Sequence, residues 1–253
     1  MKRLVTAVSV VCIAAAVAGC HREPGRAASE RTTPLPREWP QGRGAPVKIT
    51  DQLSLAVPLQ YERSAIEPGG PPAPPASQSG HGEVQFDFFL PDFSGYTLQN
   101  YRNDSDPNRV EVVYLHAGDA HEGDPDAPGE YPPNMLKRAL QQAFDPRRYH
   151  DQYGLRCYEG RELAGRIACY GQRDKKSRED IMLTSLVPPY PEGVTFPVFQ
   201  ARYFSKRYGG VRLEWRAHVS QLPHWREIDA QIWKFIDAWN VVQQPGPPAS
   251  AGR

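Results

Sequence analysis

The chain has 253 residues, with 30 Lys and Arg against 29 Asp and Glu and a net charge of +1. That balance leaves no basic footprint and argues against a nucleic-acid partner. Hydrophobic residues make up 40% of the chain, and about 200 residues beyond the amino-terminal segment are enough for one core of ordinary size.

The first residues, Met1-Lys2-Arg3, carry two positive charges and precede Leu4–Ala18, an uncharged apolar run. Fifteen residues are short for a bilayer span, and the positive flank fits an export signal. The run closes on Val17-Ala18-Gly19-Cys20, the pattern of a bacterial lipoprotein signal, in which the Cys20 thiol is acylated and becomes residue one. An ordinary signal-peptidase site at Ala16-Val17-Ala18 is the alternative. Loss of residues 1–19 removes Lys2 and Arg3 and leaves 28 cations against 29 carboxylates. His21 follows the cysteine where, as the resemblance to enterobacterial lipoproteins implies, aspartate would favour retention at the inner membrane. The expectation is a periplasmic protein, lipid-anchored, with the outer membrane preferred.

Residues 20–46 are polar, contain Pro and Arg and lack periodicity, which reads as a flexible tether with a reach of about 30 Å. Order is expected from Val47, with Leu53, Leu55 and Val57 alternating in a strand that Pro58 ends. Residues 68–80 are rich in Pro, Gly and Ser and read as a solvated loop. Strands follow at Glu83–Leu90 and Arg109–Leu115. A long acidic loop, Ala117–Glu130, separates the latter from a helix over Pro132–Phe144 whose inner stripe is Met135, Leu136, Ala139, Leu140 and Ala143.

Cys157 and Cys169 are the pair left after Cys12 leaves with the signal and Cys20 takes lipid. In an exported chain an even pair reads as a disulfide, here between two short strands around a glycine-containing turn. On the chain-entropy account such a bridge adds about 3 kcal/mol. The rival, a metal pair, has no second Cys-x-x-Cys or clustered histidines beside it. Strand patterns recur at Ile181–Leu186 and Val198–Phe204.

Four of the five tryptophans fall in Tyr208–Asn240. Val211, Leu213, Trp215, Ala217 and Val219 alternate with Arg212, Glu214, Arg216 and His218, predicting a strand over Gly210–Ser220 with a solvated polar face. From Pro223 to Asn240 the period becomes helical, with Trp225, Ile228, Ile232, Phe235, Ile236 and Trp239 on one stripe. Trp225 and Trp239 read as core; Trp233 is nearer the stripe's edge, and any exposed tryptophan is expected there. Residues 244–253 read as a disordered tail.

About eight strands and two helices without regular alternation predict an α+β fold: mostly antiparallel sheet, a short central helix, and a Trp-rich C-terminal helix packed on the sheet. The domain is expected over residues 47–243. Val57–Tyr61 echoes Val187–Tyr190, which reads either as two related lobes or as a coincidence of strands ended by proline.

No G-x-S-x-G, H-E-x-x-H, P-loop or dinucleotide fingerprint occurs, and Cys157 is a candidate nucleophile only if unpaired. His116, Asp119, His121, Glu122, Asp124 and Asp126 are the densest polar cluster. Its spacing matches no calcium loop, so a hydrated loop or a contact for a basic partner competes with a metal site. No catalytic residue, metal or cofactor is assigned.

The lipoprotein signal, L-S-L-A-V-P-L-Q-Y, F-D-F-F-L-P-D-F-S-G-Y, the Cys157/Cys169 pair and G-G-V-R-L-E-W-R closing on I-D-A-Q-I-W-K-F-I-D-A-W-N together resemble immunity lipoproteins of type VI secreted lipase effectors. The resemblance covers about residues 47–240, and its motifs are structural. It implies a non-enzymatic, membrane-tethered periplasmic protein that binds and blocks a phospholipase, its cognate lipase effector. Asp119, Glu122, Asp124 and Asp126, with the loop Gly69–Gly82, are the expected partner contacts. A structural or assembly lipoprotein of the cell envelope, without a toxin partner, is the other reading.

Overall fold

The computed structural model describes residues 38–65, 82–118, 131–162, 165–174, 179–186, 188 and 197–242. Packing starts ahead of Val47. Trp39, in the stretch read as tether, is buried; it stacks on Tyr96 at 5.1 Å between ring centroids and donates Nε1–H to the Leu59 carbonyl at 2.9 Å. The expected strand ending at Pro58 is two strands, β1 (Val47–Thr50) and β2 (Leu53–Leu55), paired antiparallel. Asp51-Gln52 turns the chain between them, with the Gln52 amide bonded to Thr50 Oγ1. The turn puts Ile49, Leu53 and Leu55 into the core together.

The main sheet has eight strands. They are β3 (Glu83–Phe89), β4 (Arg109–Ala117), β5 (Phe144–Gln152), β6 (Leu155–Gly160), β7 (Ile167–Asp174), β8 (Glu179–Ser185), β9 (Val198–Ser205) and β10 (Val211–His218). Their order is β3-β4-β10-β9-β8-β7-β6-β5, and every neighbouring pair is antiparallel. The α+β architecture expected from the pattern is the one observed, with helices α1 (Pro132–Gln142) and α2 (Trp225–Trp239). β5 had no counterpart in the sequence reading. Its F-D-P-R-R-Y-H-D-Q lacks alternation and contains a proline, as suits an exposed edge strand.

Alternation along the strands gives the sheet two faces. The inner face carries Leu115, Leu213, Trp215, Ala201, Tyr203, Leu183 and the cysteine pair, and it buries α2 through Trp225, Ile228, Ile232, Ile236 and Trp239. Each large side chain so buried contributes roughly 1.5–3 kcal/mol. Helix α2 starts at Trp225, two residues after Pro223, because Val219–His224 first turns as a 3-10 segment. Phe235 and Trp239 stack at 4.6 Å and carry the aromatic packing on to Tyr61 and Phe86.

Trp233, nearer the stripe's edge, is buried as well, so none of the five tryptophans is exposed. Its Nε1–H donates to the Tyr203 hydroxyl at 2.8 Å, and the Arg207 and Arg173 guanidinium groups cover its ring at 4.4 and 5.2 Å. Side chains outside the apolar stripe thus complete the burial. Helix α1 lies on the outer face of the sheet, with its predicted stripe against Phe144, Ala168 and Met182. The disulfide joins Cys157 and Cys169, directly opposite each other on β6 and β7.

Candidate interaction surface

The outer face of the central strands holds the polar residues of β10. Arg212 pairs across β4 with His116, Glu214 with Tyr114 and Arg216 with Glu111. The expectation of a solvated face fails at Glu214, which is buried. Gln200 donates to it and Arg202 forms an ion pair with it, both from β9. Arg216 grips Glu111 through two bonds of 2.6 and 2.8 Å. Towards β3, buried Asp87 accepts from Arg109 at 2.9 Å and from the Tyr96 hydroxyl, which ties residues 91–108 to the sheet. Burial raises the Asp87 carboxyl above its ordinary range, and Arg109 partly opposes that rise. The charges of this strip are therefore largely answered by one another.

The second feature lies at the far edge of the sheet, where Gln152 and Leu155 close the β5–β6 hairpin around Tyr153-Gly154. Both turn residues have positive φ, 51° and 73°, as a two-residue type I′ turn requires. Glycine meets this at no steric cost, whereas tyrosine there costs on the order of 1 kcal/mol. Helix α2 holds the turn from beneath. Trp225 Nε1–H donates to the Tyr153 carbonyl at 3.0 Å, and Arg226 reaches the carbonyls of Gln172 and Gly154 at 3.2 and 3.4 Å. A Cβ on Gly154 would lie 2.7 Å from Arg226 Nη2, so the clasp also depends on glycine.

The tyrosine rings on this hairpin point outward: Tyr149 is 50% and Tyr153 47% exposed. An open pocket of about 600 Å³ lies beside the turn. Leu136 of α1 and Tyr153, Leu155, Tyr158 and Tyr170 give it an apolar and aromatic lining, while Asp151, Gln152 and Arg156 add polar groups. Arg156 pairs with Asp151 at 3.0 Å and lies 4.7 Å over the Tyr149 ring. Tyr170 is bonded to Asp180; burial raises both groups above their ordinary ranges, Tyr170 further through that bond.

Of the residues singled out beforehand, Cys157 and Cys169 are joined as expected. Cys20, Asp119, His121, Glu122, Asp124 and Asp126 lie outside the described residues, as do residues 69–81 of the loop Gly69–Gly82, most of Val187–Tyr190 and the tail 244–253. His116 is described, and its Nδ1 lies 2.8 Å from the Ala117 carbonyl. Among the described residues no group of three or more His, Cys, Asp or Glu is placed to hold a metal ion. The Tyr149–Tyr158 hairpin was not singled out from the sequence. The signal was there in Y-H-D-Q-Y-G-L-R-C-Y, three tyrosines and an arginine around a turn glycine.

No protein-family model matches the chain, and no curated protein matches it. Among solved structures it is similar to "The Structure of Smlt3025, an immunity protein of the Stenotrophomonas maltophilia type IV secretion system". The TM-score is 0.48 at 12% identity, over 80% of this chain and 95% of that chain.

Proposed function

We propose that this chain is an immunity lipoprotein: anchored through Cys20, it binds a type VI secreted phospholipase in the periplasm and neutralises it by covering its surface. The observation that carries this reading is the outer surface of the sheet. Charges on its β3, β4, β9 and β10 strands are cross-linked by Arg216–Glu111, Arg202–Glu214 and Arg109–Asp87, and at its far edge exposed Tyr149 and Tyr153 project from the β5–β6 hairpin beside Arg156. Fixed polar groups with projecting tyrosine and arginine are the composition of protein-binding surfaces. The lipoprotein pattern at Val17–Cys20, the Cys157–Cys169 disulfide of an oxidising compartment and the motif resemblance support the same reading.

Blocking a lipase needs no chemistry from the inhibitor, only an interface of about 1,200–2,000 Å² over the active-site mouth or lid. A lipid tether adds local concentration at the threatened membrane. The test is growth of cells that make, and send to the periplasm, each type VI secreted phospholipase of a strain that carries this gene. Co-expression of the full-length chain should restore growth, and Cys20→Ala should restore it less well. No rescue by the intact chain refutes the proposal. A deletion strain with a leaky envelope in the absence of any toxin would favour an envelope assembly role instead.

A further inference from the structure

We infer that the β5–β6 hairpin is the docking site for the toxin polypeptide, with the Tyr153 turn and the adjacent pocket receiving a segment that presents an apolar side chain flanked by carboxylates. This deepens the immunity reading and rests on it. The first ground is the turn. A tyrosine is held at φ 51° with its ring 47% exposed, in a position where glycine or asparagine is the unstrained choice. Trp225 and Arg226, on the best-buried helix of the fold, hold the backbone that presents it. A ring placed this way loses little conformational freedom when a partner covers it.

The second ground is composition. The pocket brings Tyr153, Tyr158, Tyr170 and Arg156 together with Leu136, and tyrosine and arginine are the side chains that most often dominate binding at protein interfaces. A volume of about 600 Å³ accommodates one or two large side chains.

Charge supplies the third ground. Residues 137–166 carry seven Lys and Arg against four Asp and Glu, in a chain that is otherwise balanced. Arg148 and Arg156 are paired with Glu159 and Asp151, but the guanidinium of exposed Arg147 is paired with no carboxylate among the described residues. Such a surface fits an acidic partner, whereas the central strip around Glu214 is already answered within the sheet. Docking is through side chains and not by strand addition. The β5 edge is interrupted between Phe144 and Tyr149, where the register shifts around Pro146 and two arginines.

The experiment uses the full-length chain, extracted in detergent, and the purified phospholipase against which it is tested for growth rescue. Binding is measured for the wild type, Tyr153→Gly, Arg147→Glu and a control, Lys48→Ala at an exposed position of β1. Tyr153→Gly removes the ring and relieves the turn, so the fold is preserved. It should weaken binding by about 30-fold or more, and Arg147→Glu by about 10-fold. Lys48→Ala should bind as the wild type does. Growth rescue should follow the same order.

If the wild type binds and both hairpin variants bind equally well, the docking site is wrong while the immunity reading stands. If the wild type itself does not bind, both fall. Sedimentation of the same variants made on a Cys20→Ala background, which lacks the acyl anchor, with phosphatidylethanolamine–phosphatidylglycerol vesicles supplies the remaining arm. Loss of vesicle binding in Tyr153→Gly with toxin binding intact would make the hairpin a membrane contact and overturn the proposal.

Discussion

Asp229→Ala is the sharpest test of how α2 is locked to the sheet. Asp229 is buried and accepts from the Tyr203 hydroxyl at 2.5 Å and from Arg173 Nη1 at 3.2 Å. Arg173 also pairs with Glu179 and covers the rings of Tyr203 and Trp233 at 4.9 and 5.2 Å. Removing one member of a buried ion pair costs about 3–5 kcal/mol. Because Glu179 still answers Arg173, the lower end applies, about 3 kcal/mol. The Tyr203 hydroxyl would lose its acceptor, adding about 1 kcal/mol. The sum, roughly 4 kcal/mol, corresponds to a fall in melting temperature on the order of 10 °C for a domain of this size. Asp229→Asn keeps an acceptor for Tyr203 and should cost less. Urea unfolding followed by tryptophan fluorescence reads this directly, since Trp215, Trp225 and Trp233 are all buried on the same face. An Asp229→Ala protein within 1 kcal/mol of the wild type would show that apolar packing alone fixes α2, and the argument from the ion pair would be wrong.

Three further outcomes follow from the same structure. Burial raises the carboxyl groups of Asp87 and Asp229, so the folded state binds their protons more tightly than the unfolded chain does. Their contribution is present in full below the unfolded carboxylate value, about 3.9, and is lost as pH rises through the folded value. These two groups should therefore add stability as pH falls through their raised folded values, and the dependence of melting temperature on pH should lose that contribution in Asp229→Asn; identical pH profiles for the two proteins would contradict this. Reduction of Cys157–Cys169, which are 12 residues apart, should cost about 3 kcal/mol in the unfolding free energy measured with and without reductant. Trp39→Ala removes a stacked indole and its bond to the Leu59 carbonyl and should cost about 3 kcal/mol, with faster amide exchange at Tyr96 and Tyr101 than elsewhere in the fold.

Much of the fold was legible because periodicity reports burial. Val211–Ala217 and the Trp225–Trp239 stripe each have one apolar face, and each became a core element with the expected period. The α1 stripe from Met135 to Ala143 packs as its spacing indicated. β5 escaped because an exposed edge strand needs no apolar alternation, and its ladder partner β6 supplies the order that its own sequence lacks. Trp233 escaped for a different reason. Its burial depends on Arg173, Arg207 and Tyr203, which are remote in the chain, and helical spacing carries no information about them. Glu214 is similar, since strand alternation marks a face as polar without saying that Gln200 and Arg202 will bury it. At the candidate surface, composition gave the tyrosines and Gly154, but the positive φ of Tyr153 and its clasp from α2 arise only in three dimensions.

That clasp links the core to the docking edge, and Trp225→Phe tests the link. Phenylalanine keeps most of the buried ring but removes the Nε1–H that meets the Tyr153 carbonyl at 3.0 Å. The turn is exposed, so the freed carbonyl can turn to water, and the penalty should stay near that of one hydrogen bond plus a small packing defect, about 1–2 kcal/mol. The larger effect should be local. Without the indole bond, Arg226 and the β5–β6 ladder are left to restrain a tyrosine in a left-handed conformation, and the Tyr153-Gly154 turn should sample other states. Amide exchange at Gly154 and Leu155 should then accelerate while exchange along β10 and α2 stays slow. Toxin binding should weaken through a slower association as the competent turn becomes less populated. Unchanged exchange at the turn would mean that the β5–β6 ladder and Arg226 suffice to hold it, and that Trp225 contributes packing alone.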